Sequence, residues 1–366
     1  MIMETPCIVL DMDRVERNLR RMQEICQANH CKLRPHTKTH KIPELAQLQL
    51  DYGAAGITVA KLSEAETMAQ GGIRDIFMAY PLIGAHRIQR AIALAKSIRL
   101  ICAADCYESA QLISQACVEA GIQMELRLEV DTGMARTGIP YADAVEEAVR
   151  IAALPGVKLQ GIFTFRGLIY DGKVDSDCRK CGIQEGEIMA ALAEKIRARG
   201  ILLEDVSVGS TPTGEFCAEV PGITEVRPGT YIFQDMMQVN THACGCTMDD
   251  VAATVWTQVV STCKPDVIVV DCGCKSISTD TGPGKAPYGL RGYGTVVDHP
   301  ELTLARLSEE HGMLEKTGAS SVRTGEILRV IPNHICPTVN LYDRVYLMRG
   351  GEVYGSYCVA ARGKNY

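Results

Sequence analysis

The run Arg34-Pro35-His36-Thr37-Lys38-Thr39-His40-Lys41 sets five basic side chains within eight positions, behind an apolar lead-in. Neighbouring cations disfavour a further positive charge, so a lysine in such company holds its proton less tightly and can attack a carbonyl carbon. Lys38 falls just past a short strand-like run, where a rigid element can aim its amine. A solvated basic loop is the competing reading of any such cluster. A second run, Pro332-Asn333-His334-Ile335-Cys336-Pro337-Thr338-Val339-Asn340, spaces an imidazole and a thiol two residues apart. In an extended segment those side chains share a face and reach one ion. Imidazole with thiolate suits zinc, whereas oxygen-rich sites suit manganese or magnesium. Two protein ligands would leave the open positions that a catalytic metal needs. The competing reading is an accidental pair whose cysteine merely packs.

Such chemistry needs a scaffold that gathers distant residues. Strand-like apolar runs at Lys32–Pro35, Gly56–Ala60, Ile76–Tyr80, Arg99–Ala104, Glu125–Asp131, Gln160–Phe165, Asp205–Gly209 and Glu225–Phe233 alternate with helix-period stretches. The helical stretches are Lys61–Gln70, His86–Lys96, Tyr107–Ala120, Tyr141–Ala153 and Glu187–Arg199, with apolar residues three or four apart. Alternation of this kind predicts a parallel sheet with crossover helices, and eight strands are what a closed (β/α)8 barrel of the TIM type requires. Chemistry in such barrels gathers at the carboxyl ends of the strands, and Lys38, Asp131, Arg136, Arg166 and Ser210 all fall at or just past predicted ends. From about residue 241 the texture turns β-rich with Gly and Pro punctuation, as in VAATVWTQVVST and DRVYLMRGGEVYGSYCVAARG. The expected organisation is an α/β barrel over residues 8–240 and a C-terminal β-rich domain over 241–366 that carries the His334/Cys336 run and is joined by a strand within residues 1–11.

A chain of 366 residues exceeds one ordinary domain of about 150, but fits a barrel of roughly 250 plus a smaller domain. Net charge of -6 speaks against a nucleic-acid surface, which needs a basic face to displace counterions. The amino terminus lacks a basic region ahead of an apolar run, and no long apolar run suggests a membrane span, so the expectation is a cytoplasmic protein acting on a small molecule. Sixteen cysteines scattered through strand-like and helix-like segments read as reduced thiols. Cys178 and Cys181 have Cys-x-x-Cys spacing, but no second pair matches it to complete a structural zinc site.

The segment around Lys38 resembles the pyridoxal-phosphate (PLP) lysine motif of the D-threonine aldolase and D-serine dehydratase family, relatives of alanine racemase within the fold type III PLP enzymes. The likeness runs over nearly the whole chain. It implies that Lys38 is the Schiff-base lysine, with His36 beside it. Asp131-Thr132-Gly133-Met134-Ala135-Arg136 is similar to the segment whose arginine lies near the cofactor ring oxygen, which assigns that place to Arg136. Gly209-Ser210-Thr211-Pro212-Thr213 and Arg227-Pro228-Gly229-Thr230-Tyr231 resemble the phosphate-holding loops. They nominate Ser210, Thr211, Gly229 and Thr230 for the phosphate, with Tyr231 alongside. In the racemase pattern Arg227 faces the pyridine nitrogen, a position where the aldolases and dehydratases often carry another residue. At Phe163–Tyr170 many relatives have a histidine after a glycine; here Arg166 or Tyr170 takes over substrate contact.

The His334-x-Cys336 run is similar to the family's metal motif, in the form that dehydratases carry; aldolases have aspartate in the second position. The expected cofactors are therefore PLP and a divalent metal, Zn or Mn/Mg. The expected activity is that of a lyase acting on D-configured β-hydroxy amino acids, by retro-aldol cleavage to glycine and an aldehyde. The alternative is D-serine dehydratase-like β-elimination to a keto acid and ammonia; an amino-acid racemase or a non-enzymatic PLP carrier stands behind both. The tail segments Pro337–Asp343, Arg344–Gly351 and Val359–Gly363 and the Glu309-Glu310-His311-Gly312 run lean toward the aldolase branch, and Cys336 leans the other way. The resemblance also implies a homodimer.

Overall fold

The computed structural model describes residues 3–366. The chain folds as two compact units that interleave along the sequence. One comprises residues up to Leu19, Thr39–Ile42 and Thr230–Gly363; the other comprises Arg20–Lys38, Pro43–Gly229 and Lys364–Tyr366.

The second unit is a barrel of eight parallel strands, in the order Lys32–Leu33, Glu225–Val226, Asp205–Val208, Val157–Phe163, Met124–Asp131, Arg99–Ala104, Asp75–Pro81 and Ile57–Val59. The ring closes just past the ends of its first and last members. Thr58 N–H donates to the Pro35 carbonyl at 2.8 Å and His36 bridges Thr58 in parallel. Strands in such a ring are covered on both faces, which is why they read as unbroken apolar runs. Phe77, Ile101, Ala103 and Phe163 form a buried cluster, with the Phe77 and Phe163 rings edge to face at 5.0 Å.

Two predicted boundaries are corrected. The eighth run, expected as a strand to Phe233, is a strand only at Glu225–Val226, and Thr230–Ile232 is a turn of 3-10 helix. Pro228 has no N–H to give to a ladder, so pairing stops there. The helix expected from Glu187 starts at Cys178, capped by the Asp177 carboxylate, which accepts the Lys180 N–H at 3.0 Å. Gly182 and Gly186, which look like helix breakers, are close-packing positions. A Cβ at Gly186 would stand 2.7 Å from Val220, and one at Gly182 would stand 2.7 Å from the Thr213 carbonyl.

The other unit is antiparallel. Ala253–Ser261, Val267–Val270, Gly312–Lys316, Leu302–Leu307, Gly294–Val296 and Ile327–Pro332 pair in a ring that closes between its first two members. Cys7–Asp11 pairs with Ala253–Ser261 on one side and, in parallel, with Arg344–Arg349 on the other; Glu352–Cys358 finishes the edge. Asp11 ends its strand and caps the helix Met12–Ala28 by accepting the Arg14 N–H. All described cysteine side chains are free thiols. No helix among the described residues is long and apolar enough to cross a membrane.

A charged layer crosses the barrel interior. Glu225, fully buried, receives Arg34 Nε at 2.7 Å, Arg127 Nη1 at 2.5 Å and Ser207 Oγ at 2.6 Å, while Arg127 Nη2 reaches Asp205 at 2.8 Å. Burial alone would raise the Glu225 pKa, but Arg127 and Arg34 outweigh it and hold the group far below the ordinary 4.5. A depressed carboxylate stabilises the fold fully above its unfolded pKa, and that stability drains away as pH falls through the depressed value. Glu225 should therefore support the fold at neutral pH and down through pH 4.5. Replacing Arg127 by Met at pH 7 is expected to cost about 3–5 kcal/mol in denaturant unfolding followed by circular dichroism, because it strands buried carboxylates. Adding Glu225→Gln to Arg127→Met should recover part of that loss; no recovery would show that the damage comes from lost packing.

Candidate active site

Parallel strands in a closed ring place all their carboxyl ends on one rim. Lys38, exposed in the 3-10 turn Thr37–Thr39, follows the first barrel strand, and its backbone N–H donates to His36 Nδ1 at 3.3 Å. Its Nζ lies 5.6 Å from the ring centre of Phe165, just beyond the strand Val157–Phe163. The exposed Arg136 guanidinium is 5.1 Å from the same ring. Arg136 sits in a loop whose entry is held by the Asp131 carboxylate, which accepts the N–H groups of Gly133 and Ala135 at 2.8 and 3.1 Å. Two cations thus flank one aromatic ring, and Phe165 is a rim residue that the sequence reading passed over.

The Gly209–Thr213 loop follows Asp205–Val208. Gly209 has φ +79, and a Cβ there would lie 2.9 Å from Gly214 Cα, so the loop presents bare backbone that only glycine allows. Ser210 Oγ and Thr213 Oγ1 are 3.0 Å apart, and Thr211 is buried. Glu185, buried on the helix behind, accepts the Gly209 N–H at 3.0 Å. Arg227 is buried with Nη1 2.6 Å from Ser207 Oγ and Nη2 donating to the Thr164 carbonyl. Burial lowers its pKa to about 10. Gly229 lies in a buried bend two residues on. An accessible amine, an aromatic face, fixed guanidinium groups and a glycine loop on one rim suit a phosphorylated aldehyde cofactor. Arg166 is buried with Nε and Nη1 lacking partners, and Tyr170 lies in a small hairpin, Ile169–Tyr170 with Lys173–Val174.

The His334 and Cys336 cluster belongs to the antiparallel unit. The expectation of an extended segment is corrected: His334 is extended at the N-cap position of the helix Ile335–Val339, which contains Cys336 in its first turn. Pro337 suits that turn, where its missing N–H has no partner to lose. The two side chains still interact. Cys336 Sγ is 3.1 Å from Thr39 Oγ1 and 3.4 Å from Thr230 Oγ1. Thr230, nominated for a phosphate, here meets sulfur; Tyr231 beside it is buried. Burial pushes the Cys336 thiol up, but His334 outweighs it with help from both hydroxyls, and the net shift is downward. Burial likewise pushes His334 down, and Cys336 and Asp280 more than reverse it.

Asp280 and Asp235, both missed by the sequence reading, frame this pair. Asp280 Oδ2 is 2.7 Å from His334 Nδ1, and the buried Asp235 accepts the Ile335 N–H at 3.0 Å. No cluster of three or more His, Cys, Asp or Glu side chains forms a closed cage among the described residues. A thiol and an imidazole, the latter backed by a carboxylate, fit a divalent metal with open positions. In metal-free protein, His334→Gln should return the Cys336 thiol toward or above 9.0 and slow its alkylation by iodoacetamide at pH 7 by about tenfold. The pH dependence of that rate, read on the Cys336 peptide by mass spectrometry, checks this; identical profiles would remove His334 as the cause.

Residues 10–236 match the family described as alanine racemase, N-terminal domain, and residues 252–348 match the putative serine dehydratase domain. The chain is 32% identical to a D-threonine aldolase of Arthrobacter sp. over 98% of its own length and 93% of the relative's. It is 33% identical to a D-threo-3-hydroxyaspartate dehydratase of Delftia sp. (strain HT23), over 92% of each chain. The solved structure of that dehydratase superposes with a TM-score of 0.88 at 32% identity, over 97% of both chains. Variants of the dehydratase have been solved with alanine in place of a histidine and, two positions further on, of a cysteine; the cysteine variant is described as metal-free. The D-threonine aldolase of Filomicrobium marinum superposes with a TM-score of 0.88 at 26% identity, covering 99% of this chain and 97% of that one. With matches end to end in sequence and in structure, the chain belongs to the alanine racemase-like family of D-threonine aldolases and D-serine dehydratases.

Proposed function

We propose that the protein is a PLP- and metal-dependent lyase that cleaves D-configured β-hydroxy amino acids by a retro-aldol reaction, giving glycine and an aldehyde. The observation that carries this reading is one chain holding both an exposed Lys38 on a barrel rim and a His334–Cys336 pair backed by a carboxylate. PLP supplies an electron-withdrawing ring for charge at the substrate Cα, and the metal supplies Lewis acidity at the β-hydroxyl.

In this reading Lys38 would hold the cofactor through Nζ, and His36 steadies the turn by accepting the Lys38 backbone N–H. Arg136 answers the ring oxygen. Ser210, Thr211, Gly229 and Thr230 are the residues proposed for the phosphate, with Tyr231 also assigned to the cofactor. Arg227, kept in place by Ser207 and Thr164, faces the ring nitrogen as a fixed cation. A cation there weakens the ring as an electron sink, which raises the share of the work done at the β-hydroxyl. Arg166 and Tyr170 contact the substrate, and His334 with Cys336 holds the metal, zinc by donor type. The protein is proposed to act as a cytoplasmic homodimer.

The second reading, β-elimination to a keto acid and ammonia, is favoured by one observation, the thiol at position 336. There Lys38 takes the Cα proton and the β-hydroxyl leaves. Protein supplied with PLP and zinc, then given D-threonine, D-threo-3-hydroxyaspartate and D-serine, should release glycine and aldehyde. Keto acid and ammonia without glycine would replace the first reading by the second. Lys38→Ala should abolish the visible cofactor band and lower the rate by at least about 10³-fold. Cys336→Asp is expected to raise the ratio of glycine to keto acid; an unchanged ratio would mean that the ligand does not choose the branch.

A further inference from the structure

We propose that Asp280 is a positioning residue for the metal, aiming His334 through an outer hydrogen bond, and that Asn333 pins the loop that carries it. The inference rests on the proposed function, which places a divalent metal at His334 and Cys336. A carboxylate only accepts, so with Asp280 Oδ2 2.7 Å from His334 Nδ1 the neutral, metal-binding imidazole keeps its proton on Nδ1 and offers the Nε2 lone pair. Both Asp280 oxygens are engaged, because Oδ1 accepts from Ser278 Oγ at 2.9 Å. The carboxylate is therefore spoken for as an acceptor, which suits an outer partner better than a ligand.

The loop itself is held by the residue next to His334. Asn333, 2% exposed, donates both amide hydrogens, to the Thr281 carbonyl at 2.8 Å and to the Gly292 carbonyl at 2.7 Å. Lys285 Nζ closes the same loop on the Asp280 carbonyl at 3.0 Å. A second tie runs through Thr338, whose Oγ1 donates to the His334 carbonyl at 2.8 Å and accepts the Ser278 N–H at 3.2 Å. The imidazole and its carboxylate are thus locked to one another from both flanks of the motif. Residues 54 apart in sequence behave as one unit.

Zinc titration of the full-length protein by competition with a chromophoric chelator tests the inference without reference to turnover. Asp280→Ala is expected to weaken zinc binding by about 10–100-fold, and Asp280→Asn, which keeps an acceptor oxygen, to recover most of it. X-ray absorption of the zinc-loaded Asp280→Ala protein should show the same sulfur and nitrogen ligands as the wild type. Affinity within twofold of the wild type in Asp280→Ala, or loss of an oxygen ligand from the zinc, would overturn the assignment. Should Asp280→Ala fail to fold, Asn333→Ala carries the same expected loss of affinity, and its binding zinc as the wild type does would overturn the proposal equally. Wild-type protein that binds no zinc would defeat the metal in the proposed function and this inference together; tight wild-type binding that Asp280→Ala leaves untouched defeats this inference alone.

Discussion

The barrel is organised around an ionised carboxylate that has no access to water. Glu225 occupies a two-residue strand beside another two-residue strand, Lys32–Leu33, so few ladder hydrogen bonds set the register there. The charge layer supplies what the ladder lacks. Arg34, four residues before Lys38, and Arg127, from the middle of another strand, converge on the same carboxylate, and each pairing holds only if the strands stand in one alignment. Ser207 extends the layer, giving its hydrogen to Glu225 and accepting from Arg227. The residues leading to the proposed cofactor lysine and the arginine proposed to face the ring nitrogen are therefore held by one network. Such a network costs several kcal/mol of desolvation per ion, which apolar side chains would avoid. Its use is alignment of the short strands Lys32–Leu33 and Glu225–Val226 with their neighbours.

The same network shows what was legible in the sequence. Eight apolar runs stood out because a parallel strand buried on both faces leaves an uninterrupted trace, and the candidate residues at their ends followed from the architecture. Single charges inside those runs, such as Arg127 in LRLEV and Asp205 in DVSV, gave no sign of the interior layer, because a lone charge names no partner. The helix expected from Glu187 shows a limit of such traces: it runs back through Gly182 and Gly186, where a Cβ would meet the Thr213 carbonyl and Val220. Propensity registers the local penalty of glycine and is blind to a distant Val220 that leaves no room for a Cβ.

Chemistry was legible where its residues were close in sequence and hidden where they were not. Lys38 and the His334/Cys336 spacing lie within short runs. Asp280 and Asp235 approach the second run from 54 and 100 residues away, out of a turn-rich loop and a helix cap that carry no local mark of a site. Phe165 was hidden for another reason: an aromatic residue just past a buried strand reads as more core, and only the geometry shows two cations beside its ring.

Asp235 explains why the motif holds its shape although it is not extended. Its Oδ1 accepts the Gln238 N–H and so caps Met236–Asn240, while Oδ2 accepts the Ile335 N–H at the start of Ile335–Val339. One buried carboxylate caps two short helices, and the second of them carries Cys336. Each helix is too short to be stable alone, so the shared cap and its packing must hold both. The cap also sets the charge balance. Two carboxylates already stand close to His334, and burial pushes Asp235 upward despite the imidazole and the backbone donors. A third carboxylate at position 336 would add a like charge to this group. A thiol there brings its charge only when it ionises, and the hydroxyls of Thr39 and Thr230 are in place to receive it. The choice of sulfur at this position is thus tied to the acidic frame around it, against which an oxygen ligand at 336 would be held under the repulsion of two carboxylates.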